Sequence, residues 1–326
     1  MKALLCTEVG SLDQMKVQDV ASPRPGPGQI VVDVKASSIN FPDALMVKGM
    51  YQVKPPVPFS PGGEIAGIVK EVGENVKNFA VGDRVVGFCG WGGFAEECLA
   101  SAERMMPLPQ GMDFDVAAAF GLTYCTSLHG LQECAKLKAG ETLLVLGAAG
   151  GVGIAAVEIG KIMGARVIAA ASSDDKLDVC KKAGADDLIN YGKDDLRQRL
   201  KELVGDKGVD VVYDPVGGPY SEPALRATAW GGRFLVVGFA AGEIPKIPLN
   251  LALLRERSII GVYWGDWTRH DPAGHVRNVK QLVQWIAAGR IKPLVSERVS
   301  LRDTPAALAR LTERKVKGKI VVQPEA

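Results

Sequence analysis

Short apolar runs broken by glycine and proline fill the first third of the 326-residue chain. Examples are "QIVVDVKASSI" from Gln29, "EIAGIVKEVG" from Glu64, "DRVVGFCG" from Asp83 and "FAEECLA" from Phe94. Many short strands with Gly/Pro turns predict an all-β, barrel-like part. From about residue 121 to 260 the pattern changes. Buried-strand runs ("ETLLVLG", "ARVIAAA", "DDLINY", "VDVVYDPVG", "RFLVVGF", "SIIGVYW") alternate with helical ones ("GVGIAAVEIGKIMG", "DDKLDVCKKAG", "DDLRQRLKELVG", "SEPALRATAWGG"). That alternation predicts right-handed crossovers and a doubly wound parallel sheet. Gly164, Gly184 and Gly231 follow predicted helices and suit the left-handed position that ends one. After about residue 261, "VRNVKQLVQWIAAGRI" and "TPAALARLTER" predict helices, and "LVSERVSL" and "GKIVVQ" predict strands. These cannot extend the parallel sheet by simple alternation, so they are expected to rejoin the first part. The expected division is 1–122 with 262–326 for one domain and 123–261 for an inserted one, with a ligand cleft between two lobes.

Composition narrows the class. Hydrophobic residues make up 47% and charged residues 23%, with a net charge of +2. Such a chain folds, and it has no basic field for nucleic acid or a membrane surface. Its six cysteines form no C-x-x-C pair or zinc-ribbon spacing, so free thiols in a reducing compartment are expected. The first residues lack a signal-peptide core, and no apolar run reaches the roughly 18 residues of a membrane span. A soluble cytoplasmic protein is expected.

The candidate chemistry starts after "TLLVLG", where Gly147-Ala-Ala-Gly150-Gly151-Val152-Gly153 opens a helix. Strand, glycine turn and helix in that order make a dinucleotide-binding turn. Gly150 would let backbone approach a pyrophosphate, and Gly153 would let the helix pack on the strand. The amides of Gly151, Val152 and Gly153 would face phosphate at the helix N-terminus. Ala148 takes the first glycine place of the strict G-x-G-x-x-G. The second strand ends at Ala171, then Ser172, Ser173 and Lys176 follow. An NAD site usually has a carboxylate there; small hydroxyls and a cation suit the 2′-phosphate of NADPH. Asp174 and Asp175 either oppose that phosphate or cap the next helix, and Lys176 is otherwise a solvated first-turn lysine.

"PFSPGGEIAGIVKEVG" raises a second question, because Glu64 sits in a glycine turn where a metal ligand would be expected just before it. Together with "VGDRVVG" and "GLTYCTSLHGL", the whole chain resembles the medium-chain dehydrogenase/reductase superfamily, and within it the zinc-free quinone oxidoreductase group. The resemblance implies a GroES-like, partly open β-barrel catalytic domain and a Rossmann cofactor domain. Where zinc alcohol dehydrogenases of the superfamily carry a Cys and a Gly-His-Glu, this chain has Asn40 and Gly63. Its histidines are 129, 270 and 275, none at those positions, and no stretch has four closely spaced cysteines. A catalytic zinc needs at least three protein ligands, so no metal is expected.

The resemblance also implies roles for single residues. Asn40 matches an asparagine near the nicotinamide. Asp43 matches its companion aspartate or serves as a structural cap. Tyr51 matches a tyrosine at the pocket mouth, a proton donor or stacking surface, or is a half-buried aromatic. Thr123 matches a threonine at the carboxamide, Tyr191 an aromatic beside the adenosine, and Gly238 and Phe239 the loop along the nicotinamide. Arg314 matches an arginine reaching the 2′-phosphate, and Asn250 is a further cofactor contact. Trp264 and Trp267 form an aromatic substrate wall or a core or interface pair. The implied activity is zinc-independent hydride transfer from NADPH to a quinone. The alternatives are an enone or enoyl-thioester reductase, or a non-catalytic NADPH-binding protein. A homodimer or homotetramer is expected, since edge strands of such sheets pair across two-folds.

Overall fold

A computed structural model describes residues 1–325, which cluster into two compact units. The first holds Met1–Leu122 and the residues from Pro293 onward; the second is Thr123–Lys292. Along the first segment run β1 (Lys2–Leu5), β2 (Lys16–Asp19), β3 (Gln29–Ser38), α1 (Phe41–Val47), β4 (Glu64–Val72), β5 (Arg84–Phe88), β6 (Glu97–Ser101), β7 (Met105–Pro107) and α2 (Phe114–Ala118). Helix α3 (Gly121–Leu128) carries the chain into the second unit.

That unit contains β8 (Thr142–Leu146), α4 (Gly151–Ile162), β9 (Arg166–Ala171), α5 (Asp174–Lys182), β10 (Asp187–Asn190), α6 (Leu196–Val204) and β11 (Val209–Asp214). It continues through α7 (Ser221–Arg226), β12 (Thr228–Val236), α8 (Asn250–Leu253), β13 (Ser258–Gly261), α9 (Trp264–His270) and α10 (Pro272–Ala287). Its six strands are parallel, in the order β10-β9-β8-β11-β12-β13. This is the doubly wound order, whose switch point lies between β8 and β11. All five residues of β8 are buried, as a central strand covered on both faces requires. Leu144, Ile168, Val212 and Phe234 form the centre of its core.

The chain closes with β14 (Val295–Val299), α11 (Thr304–Thr312) and β15 (Lys319–Val322) in the first unit. There a seven-stranded sheet has the order β14-β15-β3-β4-β5-β7, with β6 also paired to β3. Alternation along β3 sends Ile30, Val32 and Val34 to one core with Ile65, Val69 and Val85. A register shift between Val34 and Ala36 turns Ala36 to the opposite core, with Ala66, Val321 and the alanines of α2.

Three expectations change. The run "SEPALRATAWGG" is not one helix: α7 stops at Arg226 and Thr228 begins β12. Gly231 has a φ of +64°, but within that strand rather than past a helix end, whereas Gly164 (+84°) and Gly184 (+104°) do follow α4 and α5. Residues 262–292 group with the second unit. The Trp267 ring stacks on His129 at 4.2 Å, Trp264 meets His275 edge-on at 5.6 Å, and Gln132 donates to Asn278 Oδ1 at 3.2 Å. Both tryptophans therefore pack internally.

Candidate active site

The carboxyl ends of the parallel strands bring most of the expected cofactor residues together in the second unit. After β8, Gly147 turns the chain; a Cβ there would come within 2.7 Å of Val216 Cγ2. A Cβ on Gly153 would lie 2.3 Å from the Gly147 carbonyl oxygen, so only glycine lets α4 start this close to the strand. Gly150 differs: its Cβ would meet only the Gly147 oxygen, at 3.4 Å, leaving open space above the turn. No side chain caps α4 and its first turn carries no acid. The first-turn amides of Gly151, Val152 and Gly153 thus remain for an anion, favoured by the helix dipole. Behind them, Ser127 Oγ lies 2.9 Å from both the Val152 carbonyl oxygen and the Tyr213 hydroxyl.

The turn after β9 faces the end of β10. Ala171 is in register with Asn190, and the Tyr191 amide donates to the Ala171 carbonyl at 3.0 Å. Ser173, not an aspartate, occupies the N-cap position of α5. Its hydroxyl donates to Asp175 Oδ1 at 2.5 Å, and Lys176 Nζ donates to Ser172 Oγ at 2.9 Å. Asp174 is held by Asn190 and Lys193. Tyr191 packs against Tyr220, ring centroids 4.4 Å apart. At the far side of the switch point, Asp214 ends β11. It accepts the amides of Val216 (2.8 Å) and Gly217 (2.9 Å) and the Ser221 hydroxyl (2.6 Å). That brace holds the loop on which Phe239 rests: a Cβ on Gly217 would lie 2.9 Å from the Phe239 ring. Gly238 lies beside Pro215, where a Cβ would meet its carbonyl oxygen at 3.3 Å.

The first unit contains a buried polar network around Asn40, Asp43 and Glu64. Glu64 Oε1 accepts the Leu122 amide at 2.8 Å; Oε2 accepts Ser38 Oγ at 2.7 Å and Asn40 Nδ2 at 3.3 Å. Lys319 Nζ donates to Asn40 Oδ1 at 2.5 Å and to the Ile39 carbonyl at 3.0 Å. Asp43 accepts the amides of Asn40 (2.7 Å), Gly62 (3.2 Å) and Gly63 (3.1 Å). Asp43 and Glu64 are 1% exposed and Lys319 is 5% exposed. Burial pushes Asp43 up to about 7, against the three amides and Lys319. Burial also pushes Lys319 down, opposed by Glu64 and Asp43. One ammonium thus serves two buried carboxylates and fixes which way the Asn40 amide points.

This donor set does not fit zinc. Among the described residues, no group of three or more His, Cys, Asp or Glu side chains could hold a metal ion. A Cβ on Gly63 would sit 3.0 Å from the Gly90 carbonyl oxygen and 3.2 Å from the Phe88 ring, so a histidine there would displace its neighbours. Of the other expected residues, Thr123 is buried at the start of the second unit. Asn250 is exposed at the start of α8. Tyr51 packs partly buried against a core containing Phe59 and Phe94, and Arg314 follows α11 with a φ of +59°. Sequence reasoning missed Lys319 and Asp214. The signal was a charge at one end of an apolar strand: Lys319 opens "KIVV" and Asp214 closes "VDVVYD".

Residues 26–110 match the family model for the alcohol dehydrogenase GroES-like domain, and residues 151–287 match the model named zinc-binding dehydrogenase. Quinone oxidoreductase-like protein 2 of Bos taurus is 38% identical over 323 residues, covering 98% of this chain and 92% of that protein. The chain belongs to the medium-chain dehydrogenase/reductase superfamily, in its quinone oxidoreductase group. Quinone oxidoreductase of Rattus norvegicus is 33% identical over 310 residues, covering 94% of this chain and 92% of the relative. A solved structure of Escherichia coli quinone oxidoreductase complexed with NADPH matches with a TM-score of 0.93 at 30% identity, covering 99% of this chain and all of that one. Membership of this superfamily makes the chain an oxidoreductase. The second matched model is named for zinc; the residues it matches, 151–287, include neither Asn40 nor Gly63.

Proposed function

We propose that this oxidoreductase uses NADPH to reduce electron-poor acceptors, quinones or enones, without a metal. The observation that carries the reading is the buried Lys319–Asn40–Glu64 network at positions where zinc dehydrogenases hold their metal. An alcohol would be a poor substrate there, because nothing stabilises its alkoxide as a bound zinc does. An electron-poor acceptor needs no such help.

The second unit supplies the cofactor end. The open space over Gly150 and the uncapped amides of Gly151, Val152 and Gly153 fit a pyrophosphate. Ser172, Ser173, Lys176 and Tyr191 hold the 2′-phosphate end. Gly238, Phe239 and Thr123 line the nicotinamide end. NADPH, when bound, supplies the hydride. Asn40 and Asp43 fix the local backbone: each end of the Asn40 amide is already bonded, so it orients rather than donates a proton. The Tyr51 hydroxyl is the group we assign to deliver a proton to the reduced acceptor. Arg257 is committed to three backbone carbonyls, which removes one cation that a coenzyme A thioester would use. Pairing through the exposed edge strand β13 would give a homodimer. No helix of the described residues is long and apolar enough to cross a membrane.

The test is NADPH oxidation against ortho- and para-quinones, a panel of enones and crotonyl-coenzyme A. Turnover greatest with quinones supports the reading. Turnover confined to the thioester, or tight NADPH binding with no turnover at all, refutes it.

A further inference from the structure

The corner between the ends of β9 and β10 holds three carboxylates and two ammonium groups: Asp174, Asp175, Asp194, Lys176 and Lys193. The two strand ends are locked together. Besides the Tyr191–Ala171 hydrogen bond, a Cβ on Gly192 would lie 2.4 Å from the Ser172 carbonyl oxygen, so the chain after β10 runs directly over the turn after β9.

Both oxygens of Asp174 are occupied. Asn190 Nδ2 donates to Oδ1 at 2.5 Å, and the Lys193 ammonium pairs with Oδ2. The orientation of Asn190 is fixed rather than arbitrary. It is 6% exposed, and its Oδ1 accepts the Gly192 amide at 3.0 Å, which leaves only its Nδ2 for Asp174. Both partners hold the carboxyl of Asp174 below its ordinary value, Lys193 foremost, so it stays ionised and paired.

A carboxylate at the end of the second strand is what an NAD site uses to accept the ribose 2′-hydroxyl, and what repels a 2′-phosphate; here Ala171 ends that strand and Asp174 follows three residues later, at the start of α5. We propose that Asn190 and Lys193 determine cofactor specificity by taking up the acceptor capacity and charge of Asp174, leaving the Ser172–Lys176 turn for a phosphate. This rests on the assignment of NADPH above and extends it to two residues outside the turn. The ion pair is two-thirds exposed on each side, so it adds little to folding stability. Its consequence is for the ligand: without Lys193, a full negative charge faces a dianion.

The experiment is calorimetric titration of the full chain with NADPH and NADH, using Lys193→Met, Asp174→Asn and the double variant. Lys193→Met is expected to weaken NADPH about tenfold, the effect of one unit charge near a dianion in a high dielectric, and to leave NADH unchanged or tighter. The double variant is expected to match Asp174→Asn alone, because Lys193 has then lost the charge through which it acts. An unchanged NADPH/NADH ratio in Lys193→Met overturns the proposal. So does an equal loss of NADPH affinity when Lys193 is replaced in the Asp174→Asn background, since Lys193 would then act on the phosphate directly. A wild-type chain with no preference for NADPH would sink the cofactor assignment separately, while the double-variant cycle still reports whether Asp174 governs the ratio.

Discussion

Replacing Lys319 with Met keeps most of the side chain's volume and removes its charge. The structure sets the cost. Two acceptors, Asn40 Oδ1 and the Ile39 carbonyl, lose their donor, and two buried carboxylates lose the cation that serves them. Leaving two buried acceptors without their donor costs about 1–3 kcal/mol each, and the nearby carboxylates lose the favourable field of the ammonium. We therefore expect Lys319→Met to unfold at lower urea concentration by an amount of that size, with the first unit melting first. The loss should grow with pH. Asp43 is pushed up to about 7 with Lys319 opposing the shift, so without the lysine it holds its proton still more strongly. A folded-state pKa above the unfolded one gives stability that is present at low pH and lost as pH rises through the folded value. The assay is urea denaturation by circular dichroism at pH 5, 6, 7 and 8, with Lys319→Met/Glu64→Gln as the compensating variant. Removing one carboxylate along with the ammonium should restore more than half of the loss. A loss under about 1 kcal/mol, flat across pH, would refute the charge-balance reasoning and leave Lys319 as a packed alkyl chain.

Three more predictions concern the glycine turn and Asp43. Gly150→Ala should melt like wild type yet bind NADPH at least tenfold more weakly, because its Cβ touches only one atom of the protein and fills the space above the turn. Gly153→Ala should lose about 1–3 kcal/mol or more of folding stability, because its Cβ lands 2.3 Å from the Gly147 oxygen. In the wild type, Asp43 carries a folded pKa of about 7 against an ordinary 3.8, so its contribution is complete below the ordinary value and declines as pH rises toward 7. A pH series of urea midpoints checks this, and a contribution that rises over that window would contradict the sign.

The architecture was legible because its signals are local. Short apolar runs broken by glycine and proline mark the strands of the first unit, and unbroken apolar runs between helices mark those of the second. The glycine turn is legible for the same reason, since strand, turn and helix are contiguous. The misread run "SEPALRATAWGG" fails on a local competition. Its helical composition extends past Arg226, but Thr228 turns its hydroxyl back onto the Ala224 carbonyl at 3.1 Å, and the backbone from Thr228 on pairs with β11. Tertiary pairing overrode propensity. The charge network was not legible because Lys319 meets Asn40 across 279 residues of chain. A lysine in a strand is ordinarily exposed, and only the assembled fold shows this one buried. The same holds for the cofactor corner, where Asp174 reads as a helix cap until β10 brings Asn190 and Lys193 over it.

The most direct test of metal-free reduction is a single comparison on the purified chain: zinc content by mass spectrometry alongside NADPH oxidation with a para-quinone, before and after exhaustive dialysis against a chelator. We expect far less than one zinc per chain and an unchanged rate. One tightly held zinc per chain, whose removal abolishes turnover and whose return restores it, would contradict the assignment of Lys319, Asn40 and Gly63 to a site without metal.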